Sequence, residues 1–239
     1  MVIYRAPSHD RPDGVAEGET GSCAPSQDGL QRKSSFLPDI DYMDCHRRGI
    51  LVLSTSSVFA KPVAEITLGM ALALARRIHE AEVAIRVGRE TLHGEGDNQD
   101  SFSLSGRTIS LVGFGNLGHT LLPLVRPFDG QVLVCDPWIH PAVLGEARVP
   151  RTPLAECFSR SSVVFLLAAT RAENALKIDR SFLDLMPSEA IVVLVSCASI
   201  GNFHDLLDAA ASGRIPAAID VWPQEPIPAD HRTRATPNT

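Results

Sequence analysis

The chain has 239 residues, 44% of them apolar, and a formal net charge of −6 at pH 7. That length holds one large domain, or one domain and part of a second, and the apolar fraction is enough for a real core. The acidic balance excludes the basic footprint expected of a nucleic-acid binder or of a protein held on an anionic membrane.

Residues 5–35 are rich in Gly, Pro, Ser and Asp and show no apolar periodicity, so residues 1–35 read as irregular or disordered. The start, Met1 to Gly14, lacks the apolar block of a signal peptide. Gly49 to Leu53 reads as a buried strand. A helix follows, with Pro62 at its first turn and Val63, Ile66, Met70, Leu74 and Ile78 at helical spacing. Its most apolar run, Val63 to Ala75, carries Glu65 and Thr67 and falls short of the roughly 18 residues a membrane span needs. The polar stretch 94–100 is a linker-like loop.

From Ser105 onward strands and helices alternate. Strands are expected at 107–112, 131–135, 162–167, 190–195 and 215–221, with helices at 116–127, 153–160, 179–186 and 203–212, the last stopped by Gly213. Continuous apolar strands separated by helices imply an α/β fold with a doubly wound parallel sheet, covered on both faces. Cys23, Cys45, Cys135, Cys157 and Cys197 are scattered, with no CxxC pair. They read as reduced thiols of a cytoplasmic protein, Cys135 and Cys157 in or near the core, and no metal site is expected.

One motif carries chemistry. Strand 107–112 runs into Gly113-Phe114-Gly115-Asn116-Leu117-Gly118, and a helix follows. Asp136, 21 residues past Gly115, ends the next strand. In this setting the glycines form the dinucleotide-binding turn of a Rossmann domain. Gly113 permits the turn, Gly115 lets backbone approach a pyrophosphate, and Gly118 lets the helix pack close. The helix N-terminus offers amides to phosphates. Asp136 can accept hydrogen bonds from both adenosine ribose hydroxyls and repels a 2′-phosphate, which favours NAD over NADP. Two other readings stay open: the glycines may serve only a βα turn, or the ligand may be a flavin or another adenosine compound.

The chain resembles the D-isomer-specific 2-hydroxyacid dehydrogenases, which include phosphoglycerate, glycerate and D-lactate dehydrogenases. The matching pieces stand in family order: IDYMDCHRRGILVLS, KPVAEITLGMALALARRI, LSGRTISLVGFGNLG, VLVCDPW, VVFLLAATRAEN, IVVLVS, LLDAAASGRIPAAIDVWPQEP and ATPN. The resemblance covers about residues 36–239. It implies a NAD-binding Rossmann domain over 61–239, and at 36–60 a remnant of a flavodoxin-like substrate domain. It implies hydride transfer between NAD and a small 2-hydroxy or 2-oxo acid, and a homodimer formed partly by the helix from Pro62 to Ile78.

The family's site residues carry over in part. Asn116 and Leu117 give backbone contacts at the phosphates, and Leu167 and Ala168 line the adenine side. Val195, Ser196 and Cys197 lie under the nicotinamide ribose, and Asp220 reaches the carboxamide end. Of the catalytic set only the Glu is found, as Glu225. Cys197 takes the place of the Arg that grips the substrate carboxylate, and residues 181–213 hold neither Arg nor Lys. The general acid/base His belongs to a Pro-His pair beyond the ATPN segment, and the sequence ends at Thr239. His231 comes too early to replace it. On this reading the chain is truncated at both ends, without the C-terminal strand and His segment, and its dehydrogenase activity is impaired. The alternative is an inactive NAD-binding regulatory or interaction module.

Overall fold

The computed structural model describes residues 2–5, 30–32, 41–53, 56–90, 101–168, 178–196 and 200–235. Contacts divide the chain into two units, residues 1–60 and 61–239.

The first unit contains strands β1 (Val2–Arg5) and β2 (Leu30–Arg32), helix α1 (Tyr42–Arg47) and strand β3 (Ile50–Leu53). β1 lies between β2 and β3 and pairs antiparallel with both. One expectation is corrected here. Residues 1–35 are not irregular throughout: Val2-Ile3-Tyr4, rich in β-branched and aromatic residues, makes a strand that gains its partners from distant segments. Asp41 caps α1, its carboxylate accepting the Asp44 N–H at 2.8 Å.

Helix α2 (Ser56–Ala75) runs across the division between the units. It starts six residues before Pro62, so the proline is interior rather than in the first turn. By length and composition α2 is apolar enough to cross a membrane. It carries Lys61 and Glu65, however, and lays Ala64, Ala71 and Ala75 in the core of the second unit. Arg77, in the left-handed conformation, breaks the run before α3 (Ile78–Arg86), which splits the single helix read from the sequence.

The second unit is built on strands β4 (Ile109–Val112), β5 (Val132–Cys135), β6 (Val163–Leu166), β7 (Ile191–Leu194) and β8 (Ala217–Ile219). They form a parallel sheet in the order β5-β4-β6-β7-β8. A parallel bridge between Val134 and Arg151 stands outside β5, where a doubly wound dinucleotide fold places its third strand. Helices α4 (Asn116–Val125), α5 (Pro141–Glu146), α6 (Leu154–Arg160), α7 (Arg180–Asp184) and α8 (Phe203–Ala211) complete it. α5, six residues opened by a proline, was too short to show helical periodicity in the sequence.

The period-two rule of strands sorts the core. Val163, Phe165, Ile191 and Val193 face the side carrying α4, α5 and the alanines of α2. Val164, Leu166, Val192 and Leu194 face the side carrying α7 and α8. All eight are buried, as central strands of a two-sided sheet require. Ser110 is the polar exception in β4. Its hydroxyl meets that of Ser161 at 2.6 Å and donates to the Cys157 carbonyl at 3.2 Å, so its burial is compensated.

Candidate active site and its dinucleotide cleft

The strand ends at β4, β5 and β6 assemble the site. β4 hands over to Gly113, whose φ of 101° lies in the region that favours glycine. A Cβ there would sit 2.6 Å from the Cα and N of Ala168, just past β6. The turn thus packs directly on the neighbouring strand end, and Leu167 N donates to Val112 O at 2.9 Å alongside it. Gly118 is equally constrained, since a Cβ would meet Gly113 O at 2.8 Å. Gly115 differs: a Cβ built on it meets nothing within 4 Å. Among the described residues no atom requires glycine there, which leaves the space in front of it available to a ligand.

Asp136 reaches this turn. Its Oδ2 accepts the Phe114 N–H at 2.8 Å, and its Oδ1 accepts those of Trp138 and Ile139 at 3.0 and 3.1 Å. Gly113 N also donates to Cys135 O at 2.8 Å, so β5 and the turn are joined twice. A carboxylate offers roughly four acceptor sites. Three are engaged by backbone, which leaves capacity on Oδ2 for one ribose hydroxyl rather than the pair expected from the sequence. The hold by Trp138 and Ile139 was missed there, although Asp-Pro-Trp is a sequence in which an Asp side chain accepts from the amides two and three residues on. Trp138 itself is 53% exposed.

At the far side, Val195 and Ser196 follow β7, Val195 N donating to Leu166 O. Both are buried, and the Ser196 hydroxyl has no hydrogen-bond partner among the described residues. A buried hydroxyl left unpaired costs free energy, on the order of 1–3 kcal/mol, which a polar ligand group would recover. Asp220 N donates to Leu194 O at the end of β8, and the Asp220 side chain is exposed. Asn116 and Leu117 open α4, whose first turn directs amides outward. The open face of Gly115, the carboxylate at the turn and the orphaned Ser196 hydroxyl together fit a dinucleotide.

The catalytic candidates are less gathered. Cys197, expected at the Arg position, lies outside the described residues. The nearest arginines in sequence are committed elsewhere. Arg180 pairs with Asp184, and Arg214 donates to the carbonyls of Asp184, Met186 and Pro187, which precede β7. Glu225 is exposed and accepts the Trp222 N–H at 3.0 Å. His231 stacks edge-on against the Trp222 ring with centroids 6.4 Å apart, and its Nδ1 meets the Thr233 hydroxyl at 2.8 Å. Glu225 and His231 therefore share a neighbour without bonding each other.

Residues 68–239 match the family model of the D-isomer specific 2-hydroxyacid dehydrogenase NAD-binding domain. The chain belongs to this family. Its NAD-binding domain is the parallel-sheet unit just described, and NAD is its cofactor. The chain is 29% identical over 219 residues to a glyoxylate reductase of Thermofilum pendens, covering 90% of this chain and 64% of that protein. It is 25% identical to a D-3-phosphoglycerate dehydrogenase of Mycobacterium leprae, covering 89% of this chain and 40% of that one. Among solved structures, a phosphoglycerate oxidoreductase from Rhizobium etli superposes with a TM-score of 0.75 at 37% identity, over 86% of this chain and 66% of that one. The chain therefore spans under two thirds of the length of the curated relatives it matches.

Proposed function

We propose that this chain is an NAD-dependent oxidoreductase of the D-2-hydroxyacid dehydrogenase type, acting between a 2-hydroxy and a 2-oxo acid with reduced catalytic power. The observation that carries the cofactor half is the Asp136 carboxylate at 2.8 Å from the Phe114 amide, on the glycine turn itself. When bound, NAD supplies the hydride acceptor or donor. The chain's own residues bind and orient: α4 and Gly115 take the pyrophosphate, Asp136 a ribose hydroxyl, and Ser196 a polar group near the end of β7. Similarity to a glyoxylate reductase and a phosphoglycerate dehydrogenase supports a small 2-oxo acid as substrate.

The reduction in power follows from chemistry. Residues 181–213 contain neither Arg nor Lys, so the segment after β7 offers no side chain that grips a carboxylate in bidentate fashion. Losing such an electrostatic clamp costs roughly 10²–10³-fold. Against a median enzyme turnover of about 10 s⁻¹, this predicts a kcat below about 0.1 s⁻¹. NADH oxidation against glyoxylate, hydroxypyruvate, pyruvate and phosphohydroxypyruvate tests it. Turnover at ordinary enzymatic rates would overturn the impairment, whereas NADH binding with no turnover on any acid would favour the regulatory-module reading.

The reading extends to a homodimer in the cytoplasm. α3 is amphipathic yet contains no buried residue; Ile78 and Ile85, two turns apart on one face, are both exposed. Such an apolar face supports burial against a second copy. The cytoplasmic setting is supported by the buried thiols Cys135 and Cys157, which form no disulfide.

A further inference from the structure

Two thiols neighbour the nucleotide turn and take no part in the function proposed above. Cys135 ends β5, and Cys157 lies in α6 on the face opposite α4. With Leu133 and Leu154 they form a small cluster of their own, Cys157 fully buried and Cys135 7% exposed. Their side chains share this cluster, and neither is in a disulfide. We propose that Cys135 and Cys157 are a dithiol modification site, oxidised by a hydroperoxide to an intrachain disulfide that weakens the adjoining nucleotide turn.

The environment divides the roles. The Cys135 thiol beside it holds the Cys157 sulfur below the ordinary thiol range against its burial. The same contact, burial and the negative charge of Asp136 push Cys135 up. Cys157 is thus the attacking sulfur and Cys135 the resolving one. In the first step the Cys157 thiolate takes the terminal oxygen of the peroxide. The O–O bond breaks, and with one proton a water (or alcohol) leaves and a sulfenic acid remains. In the second step the Cys135 sulfur, losing its proton, displaces that oxygen as water and the S–S bond forms. Two thiols and one hydrogen peroxide give one disulfide and two waters. The sulfurs lose two electrons, which the peroxide gains.

The bridge would act on the turn because the two share atoms. Cys135 O accepts the Gly113 N–H, and Asp136 follows in the chain with its carboxylate on Phe114 N. Drawing the sulfurs to about 2 Å moves the end of β5, and that movement is felt at both bonds. The bridge itself is independent of the NAD reading; its effect on affinity rests on that reading.

The experiment uses the whole purified chain, reduced, freed of reductant and treated with hydrogen peroxide. Arg148 and Arg151 lie between the two cysteines, so tryptic digestion under non-reducing conditions separates them unless they are bridged. A linked peptide joining the segment holding Cys135 to Thr152–Arg160, abolished by dithiothreitol, is the expected result. Absence of that peptide, or a bridge involving Cys23, Cys45 or Cys197 instead, overturns the proposal. NADH titration of the same samples should show oxidation weakening affinity about tenfold, reversibly, with Cys157→Ala insensitive and Cys45→Ala behaving as the parent. A bridge that leaves NADH affinity unchanged overturns the coupling. Failure of the reduced protein to bind NADH would strike the cofactor reading and not the bridge.

Discussion

Gly113 and Gly115 are two residues apart and both glycine, but for different reasons. Gly113 has a positive φ and backbone atoms of Ala168 pressed against it, so its identity is a demand of the fold. Gly113→Ala combines a strained backbone with an overpacked contact and should cost about 2–5 kcal/mol, read as a lowered midpoint in urea. Gly115 has empty space before it and an ordinary negative φ. Gly115→Ala should change stability by no more than about 1 kcal/mol while weakening NADH at least about tenfold. Equal NADH affinity in that variant would mean that nothing approaches the turn at this point. Asp136→Ala removes a charged acceptor from the ligand and from three amides, so affinity should fall on the order of 10–100-fold. Fluorescence titration of NADH measures both affinities. That Gly113 makes the turn was legible because its place is tied to a strand and a helix. That Asp136 holds the turn was not legible, because its partner Phe114 N–H is 22 residues away and becomes a neighbour only once β4 and β5 pair.

At the scale of elements, caps and packing decide which segments hold. α8 is opened by Asn202, whose side chain accepts the His204 N–H, and it buries Phe203, Leu206, Leu207, Ala209 and Ala210 against the sheet. Asn202→Ala should destabilise by about 1 kcal/mol in chemical denaturation, with the rest of α8 intact. α7 is capped by Asp179, which accepts the Ser181 hydroxyl and N–H. The Ser181 hydroxyl bond is the main cause that holds the Asp179 carboxyl below its ordinary value of 3.8. The folded state therefore binds this proton less readily than the unfolded state. Its contribution is complete above the unfolded pKa and fades as pH drops through the lower, folded one. Thermal melts of Asp179→Ala should thus lie below the parent at pH 7 and converge with it as pH falls beneath 4. The strands of the second unit were readable because each is an unbroken apolar run between turn residues. The short strands of the first unit were not, since β1 and β2 owe their pairing to partners far off in the chain.

For the whole molecule, a ligand that binds only the folded form raises the melting temperature with its logarithmic concentration. NADH should do so here, and the shift should disappear in Asp136→Ala. Light scattering after gel filtration should find a dimer, and Ile85→Glu, placing a charge on a side chain 66% exposed, should yield monomers of unchanged helicity. A monomeric parent would remove the support that α3 gives to self-association.

The strand order has one more consequence. From β4 the chain steps to β5 on one side and later to β6 on the other, so the sheet forks at the end of β4. Anything seated in that fork touches two halves joined only through a single central strand. Its arrival ought to be felt as one event by amides on both halves, whose hydrogen–deuterium exchange would slow together rather than in sequence.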